Sequence, residues 1–296
     1  MLGARSELII LTLVVAVSSF LFADDSKPED LIARHLQSIA TPEARQGSKS
    51  RVMEGTANYR VLVGGAGQLS GKAALVSESH KINLLLKVMT TEYHGEQIVF
   101  DGDHVKVVGT YADKRRSEFG DFILANDAPI REGLLGGVLS TAWALEDVDS
   151  RKPKLQLEGI KQIDGRSVEV LRYQPKKGTA LQITLYFDPA TGRHVKTLYT
   201  ASQQPVAAQT VAISDPRIAQ MDSADARSAR SQQTRYRMEE NFADFQTVDG
   251  LTLPTSYQLR FTEEMENGFT KSVWWNVSTN RILNNVSLDS RNFEAR

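Results

Sequence analysis

The segment LQITLYFDPATGRHVKTLYT, residues 181–200, decides the fold of this chain. Its two halves, Leu181–Phe187 and His194–Thr200, are rich in the β-branched and aromatic residues that strands favour. Between them, Asp188–Gly192 reads DPATG, in which proline presets φ and glycine supplies a left-handed exit. The segment therefore predicts two neighbouring antiparallel strands joined by a five-residue loop.

The same pattern recurs along most of the chain. Side chains alternate between two faces with a period of two, as in Ile82–Val88, and Asp-Gly pairs typical of type I′ hairpins stand at 101–102, 164–165 and 249–250. Further strands are predicted at 59–63, 97–100, 105–110, 155–163, 167–173, 235–245, 253–261 and 271–278. A sheet of about ten antiparallel strands twists strongly, so we expect it to curl. The predicted fold class is mainly β (α+β): an unclosed antiparallel β half-barrel of about ten strands, with helices packed on its concave side.

Helical spacing is confined to a few segments. Apolar residues recur with a helical period over 31–39, and a Thr-Pro-Glu motif at 41–43 begins a second, short helix. Residues 119–148 are expected to contain a mobile helix or lid, whose start is loosened by glycines. The apolar residues with helical spacing there are Leu134, Leu135, Val138, Leu139 and Trp143. Residues 201–234 are rich in Ala, Ser, Gln and Asp, which predicts a flexible excursion.

The first 23 residues have the features of a signal peptide. They carry one basic residue, an apolar run over 8–22 and a small residue, Ala23, before two aspartates. This run is shorter than the roughly 20 residues that span a bilayer as a helix, so we expect cleavage after Ala23 rather than anchoring. Residues 24–296 are then expected to form a single domain, which is exported and works in the periplasm.

Composition narrows the classes of partner. The formal net charge is −1, so no long-range field favours nucleic acid. Because the exported chain has no cysteine, it has neither disulfides nor a lipid-anchored N-terminal cysteine. Basic clusters stand at 114–116, 151–154 and 176–177, where they could meet anionic lipid head groups. Solubilising turn residues are the favoured interpretation of these clusters.

The sequence contains no motif for catalysis. His94–Glu96 matches the His-x-Glu of zinc deaminases, but the paired cysteines are missing. The five histidines show no metal-ligand spacing, and there is no nucleophile elbow or P-loop. The acidic pairs at 239–240 and 263–264 are interpreted as solvated strand ends. We therefore predict no catalytic residue, no metal and no cofactor, and a protein that is not an enzyme.

Several strand and turn motifs together resemble a known family. They are Val248–Pro254 (VDGLTLP), Asn284–Asp289 (NNVSLD) with Phe293, Gly159–Arg166 ending in IDGR, Leu185–Gly192 (LYFDPATG) and the opening Leu31–Leu36. Over most of residues 28–293, the chain resembles a divergent, uncharacterised branch of the bacterial outer-membrane lipoprotein-sorting (LolA/LolB-like) group. The resemblance implies an unclosed antiparallel barrel in the periplasm, whose concave apolar side is capped by helices and accommodates acyl chains. These motifs specify architecture better than activity.

The residues and the resemblance together predict a non-catalytic periplasmic carrier or binder of a lipid, acyl chain or lipoprotein in an apolar half-barrel cavity. The expected partners are this hydrophobic ligand and a membrane-bound donor or acceptor protein. The predicted apolar lining consists of Leu84, Leu86, Leu135, Leu139, Trp143, Ile183, Leu185, Leu259, Phe261 and Trp275. The alternative is a cell-envelope structural or protein-interaction module, in which the same residues fill a dry core.

Overall fold

The computed structural model describes residues 27–62, 68–88, 94–110, 116–203 and 234–295. Within these ranges, twelve strands form one unclosed antiparallel sheet, which confirms the predicted fold class with more strands than the sequence indicated. The predicted signal segment and nearly all of the 201–234 excursion lie outside the described residues.

The strands are β1 (Ser50–Val61), β2 (Gln68–Glu78), β3 (Lys81–Val88), β4 (Gly95–Phe100), β5 (Val105–Gly109), β6 (Lys154–Ile163), β7 (Arg166–Gln174), β8 (Gln182–Phe187), β9 (His194–Gln203), β10 (Thr234–Val248), β11 (Leu251–Met265) and β12 (Thr270–Asn284). The helices are α1 (Pro28–Ile39), α2 (Pro42–Gly47), α3 (Glu118–Ala125), α4 (Ala128–Arg131) and α5 (Val148–Arg151). Single 3-10 turns occur at Gly137–Leu139, Ala144–Asp147 and Ser290–Phe293.

The strand order explains the course of the chain. It is β5-β4-β3-β2-β1-β12-β11-β10-β9-β8-β7-β6, so two meanders meet where β1 pairs with β12. In that central pair, Tyr59 lies opposite Trp275 and Ala57 opposite Val277. Strands β5 and β6 are consecutive in sequence but form opposite edges of the sheet. The connection between them must therefore cross from one edge to the other.

The predicted hairpin turns are present, with one difference. Asp164 and Asp249 have φ of 51°, and each is followed by a glycine with positive φ, so both are tight two-residue turns. At Asp101-Gly102 the prediction of a tight turn is wrong, because a four-residue loop separates Phe100 from Val105. There, Asp101 Oδ1 accepts the backbone N–H of Asp103 at 2.9 Å and of His104 at 2.7 Å, and this side-chain turn replaces the type I′ geometry.

Helix α3 shows how strongly the sheet curls. Ser117, its N-cap, donates its backbone N–H to Glu96 Oε1 on β4 at 2.7 Å, whereas Phe122 packs on Tyr236 of β10 with ring centroids 5.5 Å apart. Six strand spacings separate β4 from β10, which is about 29 Å in a flat sheet. A helix of eight residues is only about 12 Å long. The sheet therefore bends round α3, which lies on its concave side.

The two predicted N-terminal helices are confirmed. Helix α1 buries one face, and helix α2 begins after Thr41, whose Oγ1 accepts the backbone N–H of Ala44 at 3.4 Å. The buried residues of α1 are Leu31, Ile32, His35 and Ile39. No helix within the described ranges is long and apolar enough to cross a membrane.

Of the helix or lid expected within residues 119–148, the helix is wrong for residues 134–143, which contain only a 3-10 turn. Residues 116–153, here called the crossover segment, consist of three short helices and two 3-10 turns that join β5 to β6. Gly133, Gly136 and Gly137 have φ of 69°, 80° and 51°, a backbone conformation that ends a right-handed helix. The apolar spacing that mimicked a helix serves instead to bury successive turns.

Candidate functional site

The crossover segment lies in contact with both walls of the curled sheet. A Cβ built on Gly136 would stand 2.8 Å from Leu75 Cδ2 on β2, and one on Gly137 would stand 2.8 Å from Phe242 Cζ on β10. Backbone this close to side chains of two opposing strands leaves no room for a larger residue. The concave face of the sheet is therefore covered by one irregular stretch of chain together with α1.

Glu240 holds the crossover segment from the β10 side. Its side chain is fully buried, and its carboxylate accepts the backbone N–H of Gly136 at 2.7 Å and the hydroxyls of Tyr199 at 2.7 Å and Tyr257 at 2.8 Å. No Lys, Arg or His nitrogen among the described residues lies within 4 Å of this carboxylate. Burial raises the pKa of Glu240 to about 7, although its three hydrogen-bond donors favour the charged form.

Arg51 holds the same turn from the β1 side. Its side chain is 4% exposed, and its Nη1 donates to the backbone carbonyl of Val138 at 2.6 Å. Its Nε donates to Asn284 Oδ1 at 2.8 Å and its Nη2 to Ser48 Oγ at 3.1 Å. Glu240 and Arg51 thus grip Gly136 and Val138, two residues apart, and we call this pair the clamp.

A buried stack of rings joins the crossover segment to α1. Trp143 Nε1 donates to His35 Nε2 at 2.9 Å, and His35 Nδ1 lies 3.0 Å from the carbonyl oxygen of Gly192 in the β8–β9 loop. His194 stacks on Trp143 with ring centroids 4.8 Å apart. Burial lowers the pKa of His35 to about 4 and that of His194 below its ordinary value, so both rings are neutral at neutral pH.

A cavity with both polar and apolar walls opens beside the clamp. Its volume is about 340 Å³, and its walls come from α1, α2, the start of β1, the β2–β3 turn and the crossover segment. Arg51 and Trp143 contribute to its inner wall. The cavity is thus the place where solvent comes nearest to the clamp and the ring stack.

All ten predicted lining residues lie in one continuous apolar core. Each is at most 4% exposed, and the core joins side chains of the sheet, α1, α3 and the crossover segment. Trp275 is inside, as predicted, and stands with Tyr59 at 4.8 Å between ring centroids. The largest fully buried side chains are Trp143, Trp275, Tyr173, Tyr199, Tyr257, Phe119 and Phe187. In the described part of the chain, the inner face of the sheet is packed with protein side chains.

The polar residues of the site were missed by the sequence analysis. Glu239-Glu240 was interpreted as a solvated strand end, but both side chains are buried, and Glu239 pairs with Lys196 at 2.6 Å. Strand alternation places Glu240 on the face of Met238 and Phe242, but its charge and the acid beside it favoured exposure. The helical period of α1 did place His35 on the buried face, without its partner Trp143. Arg51 stands at the start of a strand and resembles an ordinary surface cation.

The residues of the basic clusters have different environments in the folded chain. Arg151 is part of the crossover packing, with donors to the backbone carbonyls of Arg131 at 3.1 Å and Ala142 at 3.3 Å. Lys176 and Lys177 are exposed, as solubilising turn residues are. Lys114 and Arg115 lie outside the described residues. Within the described ranges, no group of three or more His, Cys, Asp or Glu residues is placed to hold a metal ion.

Among the described residues, the chain forms an open, curled antiparallel sheet with helices on its concave side. The chain is similar to a LolA superfamily protein from Nitrosomonas europaea, at 12% identity and a TM-score of 0.44, covering 91% of this chain and 98% of that one. It is also similar to an outer-membrane lipoprotein-sorting protein domain from Vibrio parahaemolyticus, at 10% identity and a TM-score of 0.40, over 88% and 97% of the two chains.

A third similar structure is a DUF1329 family protein from Desulfovibrio piger, at 14% identity and a TM-score of 0.38, covering 90% of this chain and 96% of that one. No family model matches the sequence, and no curated protein matches it. At identities of 10–14%, the similarities concern the fold alone. Function must be argued from the residues of this chain.

Proposed function

We propose that this protein is a non-catalytic periplasmic carrier, which binds the acyl chain of a lipid or lipoprotein against the concave face of its sheet. The observation that carries the proposal is the nature of the cover on that face. Among the described residues, this cover is not a second sheet or a long helix but the glycine-broken crossover segment, held by the clamp and the ring stack. In this proposal, the crossover segment is a lid that gives way to the acyl chain.

The free energy gained by burying an acyl chain can offset the free energy lost when the lid contacts break. Each acyl methylene removed from water contributes about 0.8 kcal/mol, so a chain of about 15 carbons gains roughly 12 kcal/mol. Hydrogen bonds to charged groups contribute about 1.5–3 kcal/mol each, and two such bonds hold the lid, one from Gly136 to Glu240 and one from Arg51 to Val138. An acyl chain can therefore replace the lid contacts and the apolar side chains that withdraw with them.

The ten predicted lining residues are proposed to contact the acyl chain in the loaded state. Leu84, Leu86, Ile183, Leu185, Leu259, Phe261 and Trp275 would form the fixed wall on the sheet. Leu135, Leu139 and Trp143 belong to the lid and would move. The lipid would reach the carrier from a membrane-bound donor and leave it to a membrane-bound acceptor protein.

A second candidate is a cell-envelope protein-interaction module, and one observation favours it. The inner face is filled by large side chains, among them Trp143 and Tyr199, in the described part of the chain. Such a protein would keep this core closed throughout its function. The two candidates therefore differ in whether the crossover segment moves.

A disulfide across the lid tests this difference. Thr141 donates its backbone N–H to Ser77 Oγ on β2 at 3.0 Å, so this neighbouring pair is chosen for a Ser77→Cys, Thr141→Cys disulfide in a chain without other cysteines. We expect binding of a fluorescent fatty acid to weaken at least tenfold in the oxidised variant and to return on reduction. The single variant Ser77→Cys, treated identically, is the control.

Lipid analysis of the natural protein completes the test. The mature chain is purified from a periplasmic extract and extracted with organic solvent, and stoichiometric lipid is identified by mass spectrometry. Repeated recovery without lipid, together with no fatty-acid binding by the reduced variant, would contradict the carrier function. Undiminished binding by the oxidised variant would show that the crossover segment is not the lid.

A further inference from the structure

Arg51 is a buried cation with no carboxylate in direct contact among the described residues. Its guanidinium is 4% exposed, and its three hydrogen bonds go to a backbone carbonyl, an amide oxygen and a hydroxyl. Among the described residues, no carboxylate oxygen lies within 4 Å of it. A guanidinium has five N–H donors, so two remain after these three bonds. Buried charges are ordinarily paired directly, whereas the carboxylate that attracts Arg51, Glu146, is itself bonded to Arg45.

The acidic residues that line the cavity each lie beside a basic residue. Glu146 pairs with Arg45 at 2.6 Å, and Asp147 lies 3.7 Å from His80 Nε2. Lys49 also lines the cavity and has no carboxylate within 4 Å among the described residues. Two cations, Arg51 and Lys49, are therefore left facing a space of about 340 Å³. This arrangement favours an anion.

The cavity also adjoins the apolar core. Ile39, Val138 and Trp143 line it, and all three are at most 6% exposed members of that core. Trp143 and Val138 belong to the lid, and Ile39 ends α1. An amphiphile with its charged end in the cavity would have its chain directed between these residues.

We propose that this cavity binds the anionic head group, carboxylate or phosphate, of the lipid whose acyl chain occupies the concave face of the sheet. The inference rests on the proposed carrier function and names the class of its ligand. The planar fork of Arg51 suits both anions, because each can accept two parallel N–H bonds. Burial lowers the pKa of Arg51 only to about 10, so the guanidinium keeps its charge at neutral pH.

Head-group binding would also release the lid. Arg51 Nη1 is bonded to the carbonyl oxygen of Val138, and an anion in the cavity competes with that neutral acceptor for the same fork. Once Arg51 turns to the anion, only Glu240 still grips the turn at Gly136. The head group and the opening of the lid are then coupled, each favouring the other.

The test compares three probes of equal chain length: dodecanoic acid, dodecyl phosphate and dodecanol. We expect the full mature chain to bind the acid, the phosphate or both at least roughly tenfold more tightly than the alcohol, since bonds to a charged acceptor are stronger. The ratio between acid and phosphate tells which head group the cavity prefers. Addition of salt should reduce the anion preference and leave dodecanol binding unchanged.

The variants locate the preference. Arg51→Gln should reduce the affinity for anions to that for dodecanol, and Lys49→Gln, on an exposed residue, should reduce the anion preference several-fold without unfolding the chain. Arg281→Gln, at an exposed arginine paired with Glu54, is the control and should change neither affinity.

Each failure has a distinct meaning. Equal affinities for acid, phosphate and alcohol in the natural chain would overturn the head-group site and leave the carrier function standing. A preference for anions that survives both Arg51→Gln and Lys49→Gln would also overturn it, by placing the anion elsewhere. If none of the three probes binds, the carrier function itself fails, and the head-group site fails with it.

Discussion

Two parts of the chain cover the concave face of the sheet, and they are held there in different ways. Helix α1 is regular and turns an apolar face, including Leu31 and Ile32, into the core. The crossover segment has no long helix, and its central turn is gripped by two buried charges, Glu240 and Arg51. Neither charge has an oppositely charged partner within 4 Å among the described residues. Both parts bury apolar side chains, and the crossover segment is gripped in addition by Glu240 and Arg51.

This difference indicates which part of the cover can open. Apolar burial is non-directional and changes little with pH or with small displacements. A buried charge held by a few directional bonds is sensitive to protonation and to a competing ion, because its alternatives in solvent are good. The crossover segment is therefore the part of the cover on which a ligand can act.

The largest effect is expected for Trp143→Ala. Trp143 is 1% exposed, bonds His35 and stacks on His194, so its removal leaves a cavity and should lower the free energy of unfolding by about 4 kcal/mol. Urea denaturation measures the loss, and half-buried Trp274→Ala is the control, with a smaller loss. Equal losses in the two variants would show that the ring stack adds nothing to the cover.

Glu240→Gln should change the pH dependence of stability. Burial raises the pKa of Glu240 from 4.5 to about 7, so the stability it contributes is complete below pH 4.5 and is lost as pH rises through 7. Burial lowers the pKa of His35 from 6.5 to about 4, so its contribution is complete above pH 6.5 and is lost as pH falls through 4. The variant removes only the first contribution.

As pH rises from 4.5 to 7, the natural chain should therefore lose stability that Glu240→Gln does not lose. Over this range, the free energy of unfolding of the variant should rise relative to that of the natural chain by on the order of 3 kcal/mol. Urea denaturation at several pH values gives the two profiles. The exposed Glu264→Gln variant should run parallel to the natural chain. If the profile of Glu240→Gln is also parallel to that of the natural chain, the Glu240 carboxyl makes no pH-dependent contribution to holding the crossover segment.

The smallest effect compares a glycine of the crossover segment with a glycine of α2. Gly136 has φ of 80°, and a Cβ there would meet Leu75 at 2.8 Å, so Gly136→Ala should destabilise the protein by about 2 kcal/mol. Gly47, in α2, has open space at its Cβ position, so Gly47→Ala should stabilise the chain by about 0.5 kcal/mol. Thermal melts of both variants report the signs. A neutral Gly136→Ala would mean that the turn adjusts freely.

The sequence predicts the regular strands and helices of this fold but not its irregular segment. Alternation and turn residues predicted the strands, and helical period predicted α1, because both patterns follow from local geometry. The pairing of β1 with β12 and the course of the crossover segment depend on contacts far apart in sequence. The apolar residues from Leu134 to Trp143 fitted a helix equally well, and only the positive φ of Gly136 and Gly137 rules it out.

The candidate site was predicted in its apolar half only. Seven of the ten lining residues follow from the inward faces of strands and three from the helical spacing of residues 134–143, and all ten are buried in one core. Glu240 and Arg51 could not be found in this way, since a charged residue in a strand is ordinarily exposed. Their burial becomes visible only when the backbone of Gly136 and Val138 is brought between them.

The hydrogen bonds of His35 fix the tautomer of its ring as well as its position. Its Nδ1 must carry the hydrogen, because it faces the carbonyl oxygen of Gly192, and its Nε2 must be the bare nitrogen, because it accepts from Trp143. The ring is thus locked in the less common tautomer for as long as Trp143 stays in place. Nitrogen-15 NMR distinguishes the two tautomers of histidine. This single ring is therefore a built-in reporter, which should change its signal when the crossover segment leaves the sheet.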